Sequence, residues 1–306
     1  MATRIRARDF VHPSRAIDSF ASVFAKSKVY LQADVMLILV CGKQADAVSP
    51  GGRDTILEYA RKHLNTYEFF VAERIFELLA KAEKENLLSI EERLSDFCDC
   101  LLIVLESEST YAELGAFAIK DKLAENMLVI NDRQFRQGKS FISMGPLAKV
   151  DEVSRFRPTI YVDLSCILKA APEISKRLKS VQRERGKGYN VNDAHSFAEL
   201  TPKIRMLLLV DMITLFHPLT HRELIHVLKR VFGDGRFDIT LDLRVLEALR
   251  LVRRIDEFYV RETADRRLFF RYPGLKQMRV RADVINHYHK YSRERVVALA
   301  SKLQRV

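Results

Sequence analysis

Short runs of apolar residues alternate with amphipathic segments along the first half of the chain. Each run is continuous, which is typical of a strand buried on both faces of a sheet, and the segments between the runs place apolar residues at helical spacing. The pattern predicts helices within residues 49–64, 74–97 and 110–126. It predicts strands over residues 35–41, 68–73, 100–106, 127–132 and 159–163.

Strands that alternate with helices are the order of α/β proteins, in which helices cover both faces of a parallel sheet. We therefore predict a Rossmann-like parallel sheet flanked by helices. The patterns G-x-G-x-x-G and G-x-x-x-x-G-K-[ST] do not occur, which argues against a hydride-transferring dinucleotide enzyme and a P-loop NTPase. The nucleophile elbow G-x-S-x-G does not occur either.

Ligands of parallel sheets bind outside the carboxyl ends of the strands. The residues predicted at those ends are Gly42, Lys43, Glu106, Ser107, Asn131 and Asp132. Gly51, Gly52 and Arg53 precede a predicted helix, so their N–H groups and the guanidinium could meet a phosphate. An ordinary turn is the alternative interpretation of these three residues.

Glu113 opens the predicted third helix, and two interpretations fit it. Its spacing from Thr110 is that of a capping box, in which the glutamate accepts a hydrogen bond at the helix start. Alternatively, it acts on a ligand bound above the strand. Glu106 and Glu108 crowd the same turn, which raises at least one carboxyl pKa or requires a cationic ligand. Gly115 costs a helix about 1 kcal/mol, which is accepted where something approaches the backbone closely.

Residues 100–118, C-L-L-I-V-L-E-S-E-S-T-Y-A-E-L-G-A-F-A, resemble the nucleoside 2-deoxyribosyltransferases, with a strand, an acidic turn and a helix reading T-x-x-E-L-G. The resemblance implies that Glu113 is the nucleophile that attacks the anomeric carbon of a nucleoside. It implies that Glu106 is a second catalytic carboxylate, which helps to position sugar and base, and that Gly42 is the family's early glycine. Ser109 stands where the family usually has glycine.

The chemistry suits these residue types, because a carboxylate can stabilise or trap the oxocarbenium-like centre of glycosidic cleavage. A base that already carries positive charge, such as the nicotinamide of NAD, needs no general acid to leave. The residues that we predict to contact the substrate are Gly42, Lys43, Arg53, Ser107, Ser109, Thr110 and Asn131.

The last third of the chain has a different pattern. Helices are predicted from Pro202, capped by Thr201, from a capping box at Thr220 and Glu223, and over residues 239–252. Two strands joined by a short turn are predicted over 253–262 and 266–275. Three helices and a hairpin indicate a C-terminal winged helix-turn-helix domain, a fold that binds nucleic acid or protein. Asp242 and Glu247 on its third helix argue against readout of bases.

The net charge is distributed unevenly along the chain. Of the net +11, residues 201–306 carry +10, with 22 Lys and Arg against 12 Asp and Glu. Such asymmetry indicates a nucleic-acid or acidic partner, and a merely solubilising surface is the alternative. Residues 176–188 form a second basic run. The predicted nucleic-acid contacts are Lys176, Arg177, Lys179, Arg183, Arg185, Arg244, Arg250, Arg266 and Arg267.

The four scattered cysteines form no C-x-x-C pair, so neither a zinc site nor a disulfide framework is indicated, and a reducing cytoplasm is expected. No apolar run reaches the roughly 18 residues of a membrane span, and no membrane partner is expected. We predict three parts: an N-glycosidase domain at 1–168, a basic linker at 169–200 and the winged helix-turn-helix at 201–306.

This combination resembles the effector subunits of bacterial retron anti-phage systems. The resemblance implies a toxic N-glycosidase without a cofactor, with NAD or a related nucleotide as substrate. It implies restraint by a reverse transcriptase and its branched RNA–DNA, called msDNA, in a higher-order assembly. Two other interpretations are a non-catalytic nucleotide-sensing regulator that binds DNA through the winged helix, and a free transferase of nucleotide salvage.

Overall fold

The computed structural model describes residues 12–32, 35–45, 51–71, 75, 97–184, 189–262, 267–293 and 295–296. Its contacts divide the chain into two compact units, Ala33–Lys187 and a unit that joins Met1–Gln32 to Gly188–Val306. None of the helices in the described part of the chain is long and apolar enough to cross a membrane.

The helices of the described residues are α1 Ser14–Lys26, α2 Gly52–His63, α3 Glu108–Ala118, α4 Asp121–Ala124, α5 Phe141–Met144, α6 Pro146–Val153, α7 Ala171–Glu184, α8 Pro202–Phe216, α9 His221–Phe232, α10 Thr240–Ala248 and α11 Gln277–Tyr291. The strands are β1 Tyr30–Leu31, β2 Leu37–Cys41, β3 Glu68–Val71, β4 Cys100–Val104, β5 Met127–Asp132, β6 Ile160–Val162, β7 Leu219–Thr220, β8 Val252–Ile255, β9 Phe258–Arg261 and β10 Phe270–Arg271.

The first unit is built on a five-stranded parallel sheet in the order β3-β2-β4-β5-β6. All residues of β2 and β4 are buried, because helices cover both faces of the sheet. The predicted α/β class, with a parallel sheet flanked by helices, is confirmed. All five strands were predicted. The continuous apolar runs of β2, β4 and β5 reflect burial on both faces, whereas the edge strands β3 and β6 are only partly buried.

One face of the sheet packs against α2, α7 and a 3₁₀ segment, Leu164–Ala170. The buried residues of α7 are Ala171, Ile174, Leu178 and Val181. Residues 171–184 were predicted to belong to a basic linker, and this is corrected: they form a helix whose apolar face completes the core of the α/β unit.

The predicted helix over 110–126 consists of two helices, α3 and α4, which are separated at Ile119 and Lys120. The helix predicted over 74–97 lies outside the described residues except for Ile75 and Phe97, both of which are buried.

The second unit contains an antiparallel sheet in the order β7-β9-β8, with α8, α9 and α10 preceding its hairpin. The predicted helix starts are confirmed, since Thr201 caps α8 and Thr220 forms a capping box with Glu223. The winged helix-turn-helix assignment stays a prediction.

The hairpin differs from the predicted one. Its two strands, β8 and β9, both lie within residues 252–261. The second predicted strand, 266–275, pairs instead through β10 with β1 from the N-terminal segment. The third helix ends at Ala248 rather than at residue 252, because Arg250 has a positive φ of 55° and β8 begins two residues later.

Helix α1 belongs to the second unit and was not predicted. Its buried face consists of Ala16, Ile17, Phe20 and Phe24. The ring of Phe20 packs on Phe216 and Tyr272, with centroid distances of 5.5 and 5.2 Å. The division of the chain therefore differs from the predicted boundaries at 168 and 200, because a segment at each end of the chain shares one core.

Candidate active site

The strand order places a topological switch point between β2 and β4, where connections leave the sheet in opposite directions. Doubly wound sheets of this order bind ligands at that point, outside the carboxyl ends of the two strands. Gly42 and Lys43 follow β2 there, and Glu106 and Ser107 follow β4.

Glu106 joins the two sides of the switch point. Its Oε1 accepts hydrogen bonds from the N–H groups of Lys43 at 2.8 Å and Arg53 at 3.2 Å. Its Oε2 accepts one from the N–H of Gly52 at 2.7 Å. Gly52 and Arg53 begin α2, so this carboxylate occupies the anion-binding end of that helix. Of the two interpretations of Gly51–Arg53, the structure favours the ordinary turn over the phosphate site, because the N–H groups of Gly52 and Arg53 are already bound by Glu106.

Two glycines allow the carboxylate to come this close. A Cβ on Gly42 would lie 2.6 Å from the Cβ of Arg53 and 2.9 Å from Oε1 of Glu106. A Cβ on Gly52 would lie 2.8 Å from Oε2 of Glu106. Gly42, the early glycine of the resemblance, is therefore required on steric grounds, because a larger residue would collide with Arg53 and Glu106.

The Arg53 side chain is buried beside this contact. Its Nη1 donates to the carbonyl oxygen of Gly42 at 3.4 Å, and its Nε donates to Asp54 Oδ1 at the same distance. Arg53 was predicted to contact substrate. Its side chain instead contacts the loop at Gly42 and the neighbouring Asp54, which is a structural role.

Ser107 is the N-cap of α3, and Thr110 is its third helical residue. The Ser107 N–H donates to Thr110 Oγ1 at 3.2 Å, and the Thr110 hydroxyl donates to the Ser107 carbonyl oxygen at 2.7 Å. Ser109 is exposed, and its hydroxyl lies 2.9 Å from that of Ser107. The N-cap therefore lies three residues earlier than predicted, at Ser107 instead of Thr110, and the interpretation of Glu113 as the capping-box residue is wrong.

Glu113 lies in the second turn of α3. The residue is half-buried, and its Oε2 atom is shielded from solvent. A Cβ on Gly115 would meet no atom within 4 Å, so that part of the helix is open. Residues two apart differ by about 200° around a helix. Gly115 therefore faces away from Glu113, and a ligand of Glu113 does not explain this glycine.

Tyrosines that the sequence analysis did not select flank the ends of β5 and β6. The Tyr111 hydroxyl donates to the Leu105 carbonyl oxygen at 3.5 Å, and burial, together with the charge of Asp132, raises the pKa of this phenol. Burial and Asp151 raise the pKa of Tyr161, whereas a hydrogen bond with Asn131 lowers it. Tyr111 is the second residue of the T-x-x-E-L-G motif, and this position in the sequence could have marked it as a candidate site residue.

Asn131 was predicted to contact substrate, and it is buried at the end of β5. Its Oδ1 accepts the N–H of Asp132 at 2.8 Å. With the Tyr161 contact, this makes Asn131 a residue that fixes the ends of β5 and β6.

A cavity of about 690 Å³ opens at the switch point, on the α2 side of the sheet. Its lining residues are Gly51, Gly52, Thr55, Glu106 and Leu164–Lys169. Glu113 is not among them, so the cavity borders one predicted catalytic carboxylate and not the other. Among the described residues, no group of three His, Cys, Asp or Glu side chains is placed to hold a metal ion.

The predicted nucleic-acid contacts fall in both units. In α7, Lys176 and Lys179 are exposed, whereas Arg177 is bonded to Glu173 Oε1 at 3.0 Å and to the carbonyl oxygens of Phe156 and Pro158. Arg177 thus holds α7 against the preceding turn. The side chain of Arg183 lies outside the described part, as do the residues Arg185 and Arg266.

In the second unit, Arg244 and Arg250 are exposed and Arg267 is half-buried. Asp242 was expected to face a nucleic acid and weaken readout, and this is corrected. It is buried, and both its oxygens accept hydrogen bonds from Arg205, at 3.1 and 3.2 Å. Its charge is therefore matched inside the unit and does not oppose binding at the surface of α10.

The fold and the site define a protein of the doubly wound α/β class with a carboxylate, Glu106, at its switch point, joined in one chain to a second unit of helices and a small antiparallel sheet. The chain belongs to the STM3845 retron effector protein family, whose family model matches residues 51–254. It is thus a retron effector of anti-phage defence, as the resemblance implied.

Two curated relatives from Escherichia coli support the assignment. One belongs to retron Ec73, and its name proposes a ribosyltransferase/DNA-binding protein. It is 28% identical over 273 residues, which cover 80% of this chain and 84% of the relative. The other belongs to retron Ec86 and has a name of the same form. It is 28% identical over 123 residues, 40% of each chain.

Proposed function

We propose that this retron effector is an N-glycosidase that cleaves the bond between base and sugar in NAD or a related nucleotide, with Glu113 as nucleophile. The observation that carries the proposal is the position of Glu113, in the second turn of a helix that starts at the carboxyl end of a central strand and is capped by other residues. The ribosyltransferase part of the relatives' names supports the same class of chemistry.

In the proposed reaction, a carboxylate oxygen of Glu113 attacks the anomeric carbon while the bond from that carbon to the base nitrogen breaks. The electron pair of the broken bond remains on the base. In NAD this pair neutralises the positive nicotinamide ring, so that no proton has to be delivered. Water then attacks the anomeric carbon of the ester, releases the Glu113 carboxylate and loses its proton to solvent.

We assign Glu106 a positioning role in this reaction. Its three bonds to backbone N–H groups fix the Gly42 loop and the start of α2 on either side of the switch point. If the Glu106 carboxylate moved to a substrate, it would leave three partly buried N–H donors without this acceptor, and a fully buried donor left unsatisfied costs about 1–3 kcal/mol. A structural role for Glu106 therefore replaces the direct sugar contact that the resemblance implied.

We further propose that the second unit carries the winged helix-turn-helix and binds the restraining partner, a reverse transcriptase with its branched RNA–DNA. Support comes from the order of helices and hairpin, from the net +10 of residues 201–306 and from the DNA-binding part of the relatives' names. The exposed Arg244 and Arg250 are the described side chains that we expect at this contact.

The test is to incubate the purified chain with NAD and with nucleosides and to identify released bases by mass spectrometry. Base release by the wild type and its loss in Glu113→Gln, with unchanged thermal unfolding, is the expected outcome. Equal base release by the two proteins would refute the role of Glu113. Absence of release from every nucleotide and nucleoside tested would favour the non-catalytic regulator.

A further inference from the structure

The segment that follows β5, residues 133–145, presents an unusual surface. Three of its large apolar side chains are exposed: Phe135 by 47%, Phe141 by 84% and Met144 by 71%. Three exposed cations, Arg133, Arg136 and Lys139, are interspersed with them. Residues 133–150 contain no Asp or Glu. Single exposed apolar residues are ordinary, whereas several close together in one segment are typical of an interaction site.

Hydrogen bonds within the segment order its backbone. The Ser143 hydroxyl donates to the Gly138 carbonyl oxygen at 2.6 Å, and the Ser143 N–H donates to Ser140 Oγ at 3.2 Å. The Gly145 N–H donates to the Phe141 carbonyl oxygen at 2.8 Å. A surface that is ordered before its partner arrives loses less entropy on binding.

None of the three cations forms an ion pair with another residue in the part of the chain that the structure describes. Asp132 Oδ1 accepts the N–H of Gln134 at 2.9 Å, and Asp151 Oδ1 accepts the N–H and hydroxyl of Thr159 at 2.6 and 2.7 Å. Lys149 pairs with Asp121, and Arg136 lies 6.0 Å from the Tyr161 ring. The segment itself therefore carries a net charge of +3 next to its two phenylalanines in sequence.

We infer that residues 133–145 form a binding site for single-stranded nucleic acid, at the same edge of the sheet as Glu106. Exposed aromatic rings stack on bases, and neighbouring cations contact phosphates, in sites of this kind. The charge of the segment is of one sign, with three cations and no acid, which complements a polyanion such as nucleic acid. The site lies in the α/β unit and is separate from the cations of the second unit, and it does not depend on the proposed catalysis.

The test uses the full chain and two fluorescent probes, a 20-nucleotide oligothymidylate and an abasic oligonucleotide of equal length. Cations anywhere in the chain contribute to both probes, so the ratio of the two affinities reports stacking alone. The Phe135→Ala/Phe141→Ala double variant is expected to lower this ratio by at least about fivefold, since each stacked base contributes that much or more. Ile119→Ala, which removes an exposed apolar side chain elsewhere in the unit, should leave the ratio unchanged.

A second variant tests the cations. Arg133→Ala/Arg136→Ala/Lys139→Ala should weaken binding of both probes and reduce the salt dependence by a slope of about 0.7 for each phosphate that is no longer neutralised. The control is Arg61→Ala/Lys62→Ala/Lys122→Ala, which removes three exposed cations from helices of the same unit. Equal weakening in the two triple variants would overturn the assignment.

Photo-crosslinking of a bromouracil oligonucleotide to the wild type provides a measurement that needs no variant, and it should label residues 133–145. The inference fails if the wild type does not distinguish the two probes, if the ratio is unchanged in the double variant, or if crosslinks lie elsewhere. Self-association that the double variant abolishes, without any change in oligonucleotide affinity, would show an interface between copies instead.

Discussion

Glu106 and Glu113 lie on one strand–turn–helix connection, yet the structure gives them different surroundings. Three backbone N–H groups surround the Glu106 carboxylate, and both its oxygens act as acceptors. Charge-assisted bonds of this kind are stronger than neutral ones. The role of Glu106 is therefore to hold two loops in place, and this role can be measured as stability.

We predict that Glu106→Gln lowers the free energy of unfolding by about 1–3 kcal/mol, because the amide NH₂ faces a backbone donor and leaves it unsatisfied. Urea unfolding of the full chain measures this. Glu108→Gln, on the exposed side of the same turn, is the control and should stay within about 0.5 kcal/mol of the wild type. Equal free energies of unfolding in the two variants would contradict the proposal that Glu106 holds the two loops in place.

Asp211 is a second carboxylate whose surroundings can be tested, because they change its pKa. It is buried in α8 and accepts the N–H groups of Phe269 at 2.7 Å and Phe270 at 2.9 Å, and the Tyr272 hydroxyl at 3.0 Å. Burial raises its pKa to about 7 from 3.8, and the hydrogen bonds oppose this rise.

A carboxyl with a raised pKa binds more protons when folded than when unfolded. Its contribution to stability is complete below pH 3.8 and is lost as the pH rises through about 7. We predict that the free energy of unfolding decreases from pH 5 to pH 8 and that the decrease is smaller in Asp211→Asn, which does not titrate. Urea unfolding at several pH values measures both slopes. Identical slopes would contradict the raised pKa.

At the scale of elements, the start of α3 decides how Glu113 is interpreted. Thr110 is buried, and its hydroxyl both accepts from and donates to the backbone of Ser107. We predict that Thr110→Val costs about 0.5–2 kcal/mol of stability, whereas Glu113→Gln, which keeps the size and shape of the side chain, costs less than Thr110→Val. Thermal unfolding of both variants tests this. A larger destabilisation in Glu113→Gln would restore the capping role.

The strands were predictable because a continuous apolar run between amphipathic segments is typical of a strand that helices cover on both faces. The start of α3 was not predictable, since Ser107 and Thr110 are both good caps and the choice between them depends on how β4 ends. The Glu106 contact was beyond prediction because it joins residues more than 50 positions apart. Only the strand order, which local patterns do not encode, brings those residues together.

At the scale of the whole molecule, the predicted domain boundaries did not show that the N-terminal and C-terminal segments belong to one compact unit. Helix α1 has apolar residues at helical spacing, so its existence was predictable, but its partner was not. The same limitation affected β10, whose hydrophobic pattern gave a strand without identifying β1 as its neighbour. Pairing across more than 200 residues follows from packing and has no local signal.

We predict that Phe20→Ala in the full chain costs about 3–5 kcal/mol, the range for removing a buried aromatic side chain. Phe20 is fully buried against Phe216 and Tyr272. Hydrogen exchange should therefore show reduced protection in α8 and α11 but not in β2, β4 or β5. Ser19→Ala, an exposed neighbour, is the control. Reduced protection in the parallel sheet instead would place α1 with the α/β unit.

The central claim, that Glu113 is the nucleophile of an N-glycosidase, is tested most directly by trapping its ester. A 2′-fluoro analogue of NAD slows hydrolysis of the glycosyl ester, and mass spectrometry of the digested protein then locates the added mass. The account predicts a glycosyl adduct on Glu113, within the tryptic peptide of residues 94–120, and no adduct in Glu113→Gln. An adduct on Glu106, or one that persists in Glu113→Gln, would contradict it.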